Sequence, residues 1–191
     1  MTTAQTLSPE FAIDLAQLGP VWFPERADHG PAAFLARTVV GQQISASAAR
    51  SIWARIEARA HAEGVTLAGF LAAADAAQLR ACGLSGNKVK AVLNIHDAQA
   101  AGTLAELHGV AHELRSARLC GIWGIGQWSC DMLAIFYCRE PDIWPAGDLA
   151  VQRVFQSYVG RRKPLPAALR FAPWRSLLAL ALWRLAGAQW K

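Results

Sequence analysis

Charge is scarce in this chain: Lys, Arg, Asp and Glu make up 17% of its 191 residues, against 53% hydrophobic residues. That balance builds a core and reads as globular. Long apolar runs are missing as well, because Arg, Gln, His or Asp interrupts every candidate before the roughly 18 residues a membrane span needs. The first twenty residues lack a basic stretch followed by an apolar one, so no secretory signal is expected. The expectation is a cytoplasmic protein with no membrane partner, nucleoid-associated if bacterial. Cysteine is sparse and unclustered: Cys82, Cys120, Cys130 and Cys138 form no C-x-x-C and no compact quartet, which excludes a zinc site or an iron–sulfur cluster. They read as reduced thiols, mostly in the core. Alternating strand patterns are almost absent, and so are tandem repeats and low-complexity linkers. The net charge of +5 permits an acidic partner such as DNA without specifying one.

Helical periodicity fills the space that strands leave. Residues 34–60 place Phe34, Leu35, Val39, Ile44, Ala48, Ile52 and Ile56 at helical intervals, interrupted at Gly41, which predicts two helices with a bend between them. Residues 66–102 predict a short helix, another around 76–82, a turn at Gly83-Leu84-Ser85-Gly86 and a longer helix from Asn87. Further helices are predicted over 128–138, 149–159 and 175–187, separated by the loop "REPDIWPAGD" and the Pro-punctuated "GRRKPLPAALRFAPW". The fold class is all-α.

One stretch stands apart. "GIWGIGQWSCDML", residues 121–133, puts Gly124-Ile125-Gly126 where a core helix would usually start with a capping side chain. Glycine at 124 and 126 lets the backbone turn tightly between helices and bares successive N–H groups at a helix start, whose dipole favours an anion. Such a hairpin can grip a DNA phosphate without reading sequence. An isolated G-x-G more often marks a plain helix–turn–helix connection, so the neighbourhood has to decide.

The neighbourhood resembles the helix-hairpin-helix DNA glycosylases. "LCGIWGIGQWSCDML" followed by "WPAGDLAVQR" is similar to that family's hairpin and the aspartate-bearing loop after it. "LARTVVGQQISASAARSIWARI" resembles its Q-Q-x-S segment and "CGLSGNKVKAVLNI" its G-L-S-x-x-K stretch. "FAPWRSLLALALW" resembles the P-W-R-S terminal helix of the alkylpurine branch, typified by 3-methyladenine DNA glycosylase II. The resemblance implies one glycosylase domain over 1–191, in two helical lobes with a DNA cleft between them. The lobe with the hairpin and catalytic loop is expected at about 35–148, and no N-terminal β-domain is expected.

The implied function is a monofunctional DNA glycosylase of base excision repair. It would flip alkylated purines such as 3-methyladenine and 7-methylguanine out of double-stranded DNA and hydrolyse the N-glycosidic bond, acting as a monomer. Asp148 is the implied catalytic carboxylate, and it also reads as a helix N-cap. Glu140 and Asp142 in the same loop look solvated, and Asp131 would face along the second hairpin helix. Trp128 stands where bifunctional members carry a Schiff-base lysine, and Lys88, Lys90, Lys163 and Lys191 lie in other segments, so no strand cleavage is expected. Trp128 and Trp183 are the first candidate walls of a base pocket, with Met132, Trp22, Phe23 and Trp144 as further ones. Gln43 is the implied wedge into the duplex. The amides of Gly124, Gly126 and Ser129 are assigned to a phosphate, and the carbonyls of Cys120, Ile122 and Ile125 to a structural Na⁺ or K⁺. No other cofactor is implied. Trp123 departs from the family pattern by standing where the hairpin usually has proline. The alternatives are a non-catalytic helix-hairpin-helix DNA-binding protein and a glycosylase for another lesion.

Overall fold

The computed structural model describes residues 2–25 and 29–187. Among the described residues the regular structure is helical throughout: α1 (Thr3–Leu7), α2 (Pro9–Leu18), α3 (Gly30–Gly41), α4 (Ala46–Ala62), α5 (Leu67–Ala73), α6 (Ala76–Ala81), α7 (Gly86–Ala100), α8 (His112–Leu119), α9 (Gln127–Met132), α10 (Leu149–Val159), α11 (Pro164–Ala168) and α12 (Arg175–Leu185). A π-helical segment, Leu133–Tyr137, continues α9, and a 3₁₀ turn, Leu169–Phe171, follows α11. The all-α expectation holds. Lys191 lies outside the described residues. Among the described residues no helix is long and apolar enough to cross a membrane.

The chain divides into a central unit, Ala27–Leu133, and a terminal unit that joins Met1–Arg26 to Ala134–Lys191. This corrects the expected lobe of 35–148: Asp148 belongs to the terminal unit and the hairpin to the central one. The reason is a long-range pairing that local patterns do not reveal. Phe11 of α2 packs its ring 6.0 Å from Phe155, 4.7 Å from Tyr158 and 6.0 Å from Phe171, so the N-terminal helices complete a core made by the C-terminal ones. Arg184 of α12 donates to the carbonyls of Leu18 and Pro20, and Tyr158 bonds Asp14. Burial, with Asp14 beside it, pushes the Tyr158 phenol up to about 12.

In the central unit three helix starts are written in the sequence as side-chain caps. Ser45 accepts from the Ala48 amide, Thr66 from Gly69, and Asp75 forms a capping box with Gln78. The apolar faces of α3 to α7 then meet around Val40, Trp53, Ile56, Phe70, Leu79 and Val92. Each such fully buried side chain contributes about 1.5–3 kcal/mol relative to exposure. This core carries the bend at Gly41, the start of α7 and the hairpin.

Candidate active site and nucleic-acid interface

Asp148 ends a tight turn in which the Ala146 amide donates to Trp144 O at 2.8 Å and the Asp148 amide to Pro145 O at 2.9 Å. It then caps α10, its Oδ1 accepting from the Val151 amide at 2.9 Å. A second donor arrives from α12: Trp183 Nε1 donates to the same Oδ1 at 3.1 Å. Asp148 is only 8% exposed. Burying a carboxylate is expensive unless N–H donors meet it, and two donors on one oxygen also fix the plane of the group.

The loop before Asp148 is fastened by the first residues of α12. Arg175 grips Asp142 with both prongs, Nε to Oδ1 at 2.7 Å and Nη2 to Oδ2 at 2.9 Å, while its amide also reaches Oδ1 at 3.2 Å. The Arg175 hydrogen bond holds the Asp142 carboxyl below its usual range, and the same bond holds the guanidinium above its own. Fully buried Ser176 donates to Glu140 O at 2.6 Å and accepts from the Ile143 amide at 2.9 Å. Asp142 is therefore not the solvated loop acid expected from sequence. It is the anchor by which the R-S of P-W-R-S holds the loop that carries Asp148, a role that only the tertiary pairing exposes.

The candidate aromatic walls separate on inspection. Trp183 is buried with its ring 5.5 Å from that of Phe136, an aromatic one turn beyond Met132 in the same helical stretch that no sequence motif marks. Met132 is buried and belongs to the central unit, as does half-buried Trp128 in the first turn of α9. Trp144 is corrected to a core residue: it is buried, with its ring 5.2 Å from Phe155. Its Nε1 has no hydrogen-bond partner among the described residues. Trp22 is 79% exposed, and half-buried Phe23 is pinned by Arg139, which donates to Phe23 O and Pro24 O at 3.2 and 3.0 Å.

In the central unit the hairpin is braced from two sides. Behind it, buried Arg115 donates to Leu107 O and Val110 O and, at 3.2 Å, to His112 Nδ1. A guanidinium only donates, so Nδ1 accepts and Nε2 carries the proton that reaches Asp131 Oδ1 at 3.0 Å. Gln127 donates to the same oxygen at 2.8 Å. Asp131 is thus buried and occupied in joining α8 to α9, instead of facing out along the helix. In front, Gln42 donates to Ser129 Oγ at 3.1 Å and approaches Gly124 O at 3.5 Å. Lys88 donates to Val40 O at 2.8 Å, and burial pulls its ammonium pKa down. Those two bonds flank exposed Gln43, whose φ of +55° is a conformation costing a non-glycine residue on the order of 1 kcal/mol.

The two hairpin glycines answer to different demands. Gly124 has φ +91°, and a Cβ there would lie 2.4 Å from Ala91 Cβ, so the fold itself requires glycine. Gly126 caps α9 with φ −114° and nothing within 4 Å of where a Cβ would sit. The fold does not require glycine at 126, and no side chain caps the helix it starts. Ser129 is buried, and its hydroxyl accepts from Gln42. Within the turn the Ile125 amide donates to Ile122 O at 3.0 Å, and no backbone hydrogen bond among the described residues ends on the Cys120 or Ile125 carbonyl. The Cys120 and Cys130 sulfurs lie 3.7 Å apart, and burial pushes the Cys130 thiol up to about 12. A cavity of about 380 Å³ lies elsewhere in this unit, lined by residues that include Gly30, Ala33, Leu71, Val92 and Ile95, and takes in none of the residues above.

Residues 36–175 match the family described as "HhH-GPD superfamily base excision DNA repair protein". The chain is 29% identical to DNA-3-methyladenine glycosylase 1 of Schizosaccharomyces pombe over 160 residues, covering 78% of this chain and 70% of that protein. It is 27% identical to DNA-3-methyladenine glycosylase 2 of Escherichia coli over 169 residues, covering 80% of this chain and 57% of that one. Its fold matches a solved structure of the S. pombe 3-methyladenine DNA glycosylase in complex with abasic DNA, with a TM-score of 0.83 at 24% identity over 99% and 97% of the two chains. It also matches a Bacillus halodurans DNA-3-methyladenine glycosidase structure, with a TM-score of 0.79 at 26% identity over 98% and 88%. With the family match spanning the Q-Q-x-S turn, the hairpin, Asp148 and the start of α12, the chain belongs to the HhH-GPD superfamily of base excision DNA repair proteins.

Proposed function

We propose that this protein is a monofunctional 3-methyladenine DNA glycosylase, removing alkylated purines, 3-methyladenine and 7-methylguanine among them, from duplex DNA. The observation that carries the reading is the Asp148 carboxylate, buried at the start of α10 with Oδ1 held by Trp183 and Val151. As the glycosidic bond lengthens, the sugar gains oxocarbenium character, and a fixed carboxylate stabilises that charge and orients the attacking water. A purine alkylated at N3 or N7 already carries positive charge, so it departs as a neutral base without a strong general acid. One carboxylate is then sufficient.

Several features support the remaining roles. The Trp183–Phe136 pair gives the terminal unit an aromatic wall for a cationic base, and Trp128 is the central unit's candidate. Trp128 at the Schiff-base position, together with the tie of Lys88 to Val40 O, leaves strand cleavage without an amine in either place. Gln43, held outward on its strained turn, suits a wedge into the duplex. The uncapped start of α9, open above Gly126, suits a phosphate gripped by the amides of Gly124, Gly126 and Ser129. The Cys120 and Ile125 carbonyls, free of backbone bonds, fit a Na⁺ or K⁺ with Ile122 as third ligand. Such an ion would supply positive charge beside the phosphate.

The test is base release from methylated duplex DNA by the wild type and by Asp148→Asn, with strand integrity followed in parallel. Release of 3-methyladenine by the wild type, lost in the variant while the strand stays whole, is the expected result. Binding without release of any base from a lesion panel would overturn the reading in favour of a non-catalytic DNA-binding protein.

A further inference from the structure

Trp123, the hairpin residue that replaces the usual proline, has no part in the reading so far. Its indole is 42% exposed, although it sits beside a turn tight enough to demand glycine. The Lys90 ammonium lies 4.3 Å from the centroid of its ring. The pairing is fixed by packing: Gly124 approaches Ala91 so closely that no Cβ fits between them, and Lys90–Ala91 and Trp123–Gly124 are neighbours in their own segments. The same close approach therefore holds the charged indole pair next to the amides at Gly124 and Gly126. No carboxylate among the described residues pairs with Lys90.

An ammonium held over an indole face is oriented and partly desolvated while it keeps its charge, so little further ordering is needed to place it on an anion. The indole, flat and amphipathic, offers area that proline lacks. Sugar and phosphate alternate along a DNA backbone, and an aromatic face beside a cation complements that pair without reading sequence.

We propose that Lys90 and Trp123 form a second DNA-backbone contact beside the hairpin. Lys90 takes a phosphate neighbouring the one gripped by the hairpin amides, and Trp123 packs on the deoxyribose next to it. The contact rests on the glycosylase reading and extends its DNA footprint.

The experiment is equilibrium binding to a duplex carrying a tetrahydrofuran abasic-site analogue, measured by fluorescence anisotropy across a salt series. Lys90→Gln, at an exposed helix position where folding is secure, is expected to weaken binding severalfold and to reduce the slope of log affinity against log salt by about 1. Trp123→Pro, which installs the residue usual in the family, is expected to weaken binding severalfold with the slope unchanged, and thermal melting checks that it folds. Wild-type binding with Lys90→Gln unchanged in both affinity and slope overturns this contact alone. A wild type that binds neither this duplex nor an undamaged one overturns the DNA reading beneath it.

Discussion

At the start of α10 the chain covers the first free amides with its own carboxylate, Asp148, whereas at the start of α9 Gly126 leaves them bare. Both are helix N-termini with the same dipole and the same surplus of N–H donors. One is closed by a side chain that two donors lock in place. The other is left open for an anion from outside. The difference sets an anchored charge against an open helix start: Asp148 is fixed by the Val151 amide and Trp183, while no side chain caps the start of α9.

The largest expected effect comes from removing the charge while keeping the cap. Asp148→Asn still caps α10, so thermal stability should stay within about 1 kcal/mol of wild type, while base release falls by about 10²–10³-fold. A variant that unfolds, or one that retains activity, would erase the distinction between cap and catalyst. Next comes Gly124→Ala, whose Cβ would meet Ala91 at 2.4 Å on a backbone with φ +91°. Urea unfolding should show a loss of roughly 2–4 kcal/mol. Neutral stability there would mean that α7 and the turn yield easily.

Arg175→Ala removes the clamp on the loop before Asp148 and strands the Asp142 carboxylate, an expected cost of about 1–3 kcal/mol. The pH dependence has a definite sign. Asp142 is held below its usual 3.8 by Arg175, so its contribution is fully present above that value and disappears as pH falls through the lower folded one. The stability gap between wild type and variant should therefore narrow under acid, and a gap that widens would contradict the assignment. The smallest effect on the fold is expected from Gly126→Ala, with stability within about 0.5 kcal/mol of wild type. Its DNA affinity should nonetheless drop about tenfold, or 1.4 kcal/mol, as the methyl group fills the open helix start. Should Gly124→Ala and Gly126→Ala change stability equally, the contrast between a glycine set by the fold and one set by its ligand would be lost.

Much of this was legible in the sequence for definite reasons. Helices α3 to α7 follow from 3.6-residue periodicity and from Ser45, Thr66 and Asp75 at their starts, because capping and amphipathicity are local. Asp148 as an N-cap was local too. Helices α1 and α2 were not anticipated, although Thr2 with Gln5 and Ser8 before Pro9 cap them locally; both are short, and Phe11 of α2 is buried only against the distant rings of Phe155, Tyr158 and Phe171. Trp144 was one of the weaker pocket candidates, and only its packing against Phe155, which lies in the next helix, shows it buried.

The sequence by itself determined the helical class, the family and the bare helix start in the hairpin, and it singled out Asp148 as the candidate carboxylate. These rest on periodicity and short motifs, which act within a few residues of the chain. Only the tertiary structure decided that the termini join in one unit, that Arg175 and Ser176 secure the loop carrying Asp148, that Trp183 holds its Oδ1, and that Lys90 meets Trp123. Each of those pairings spans roughly 33 residues or more, and over such separations hydrogen bonds and ring contacts exist only once packing has brought the segments together.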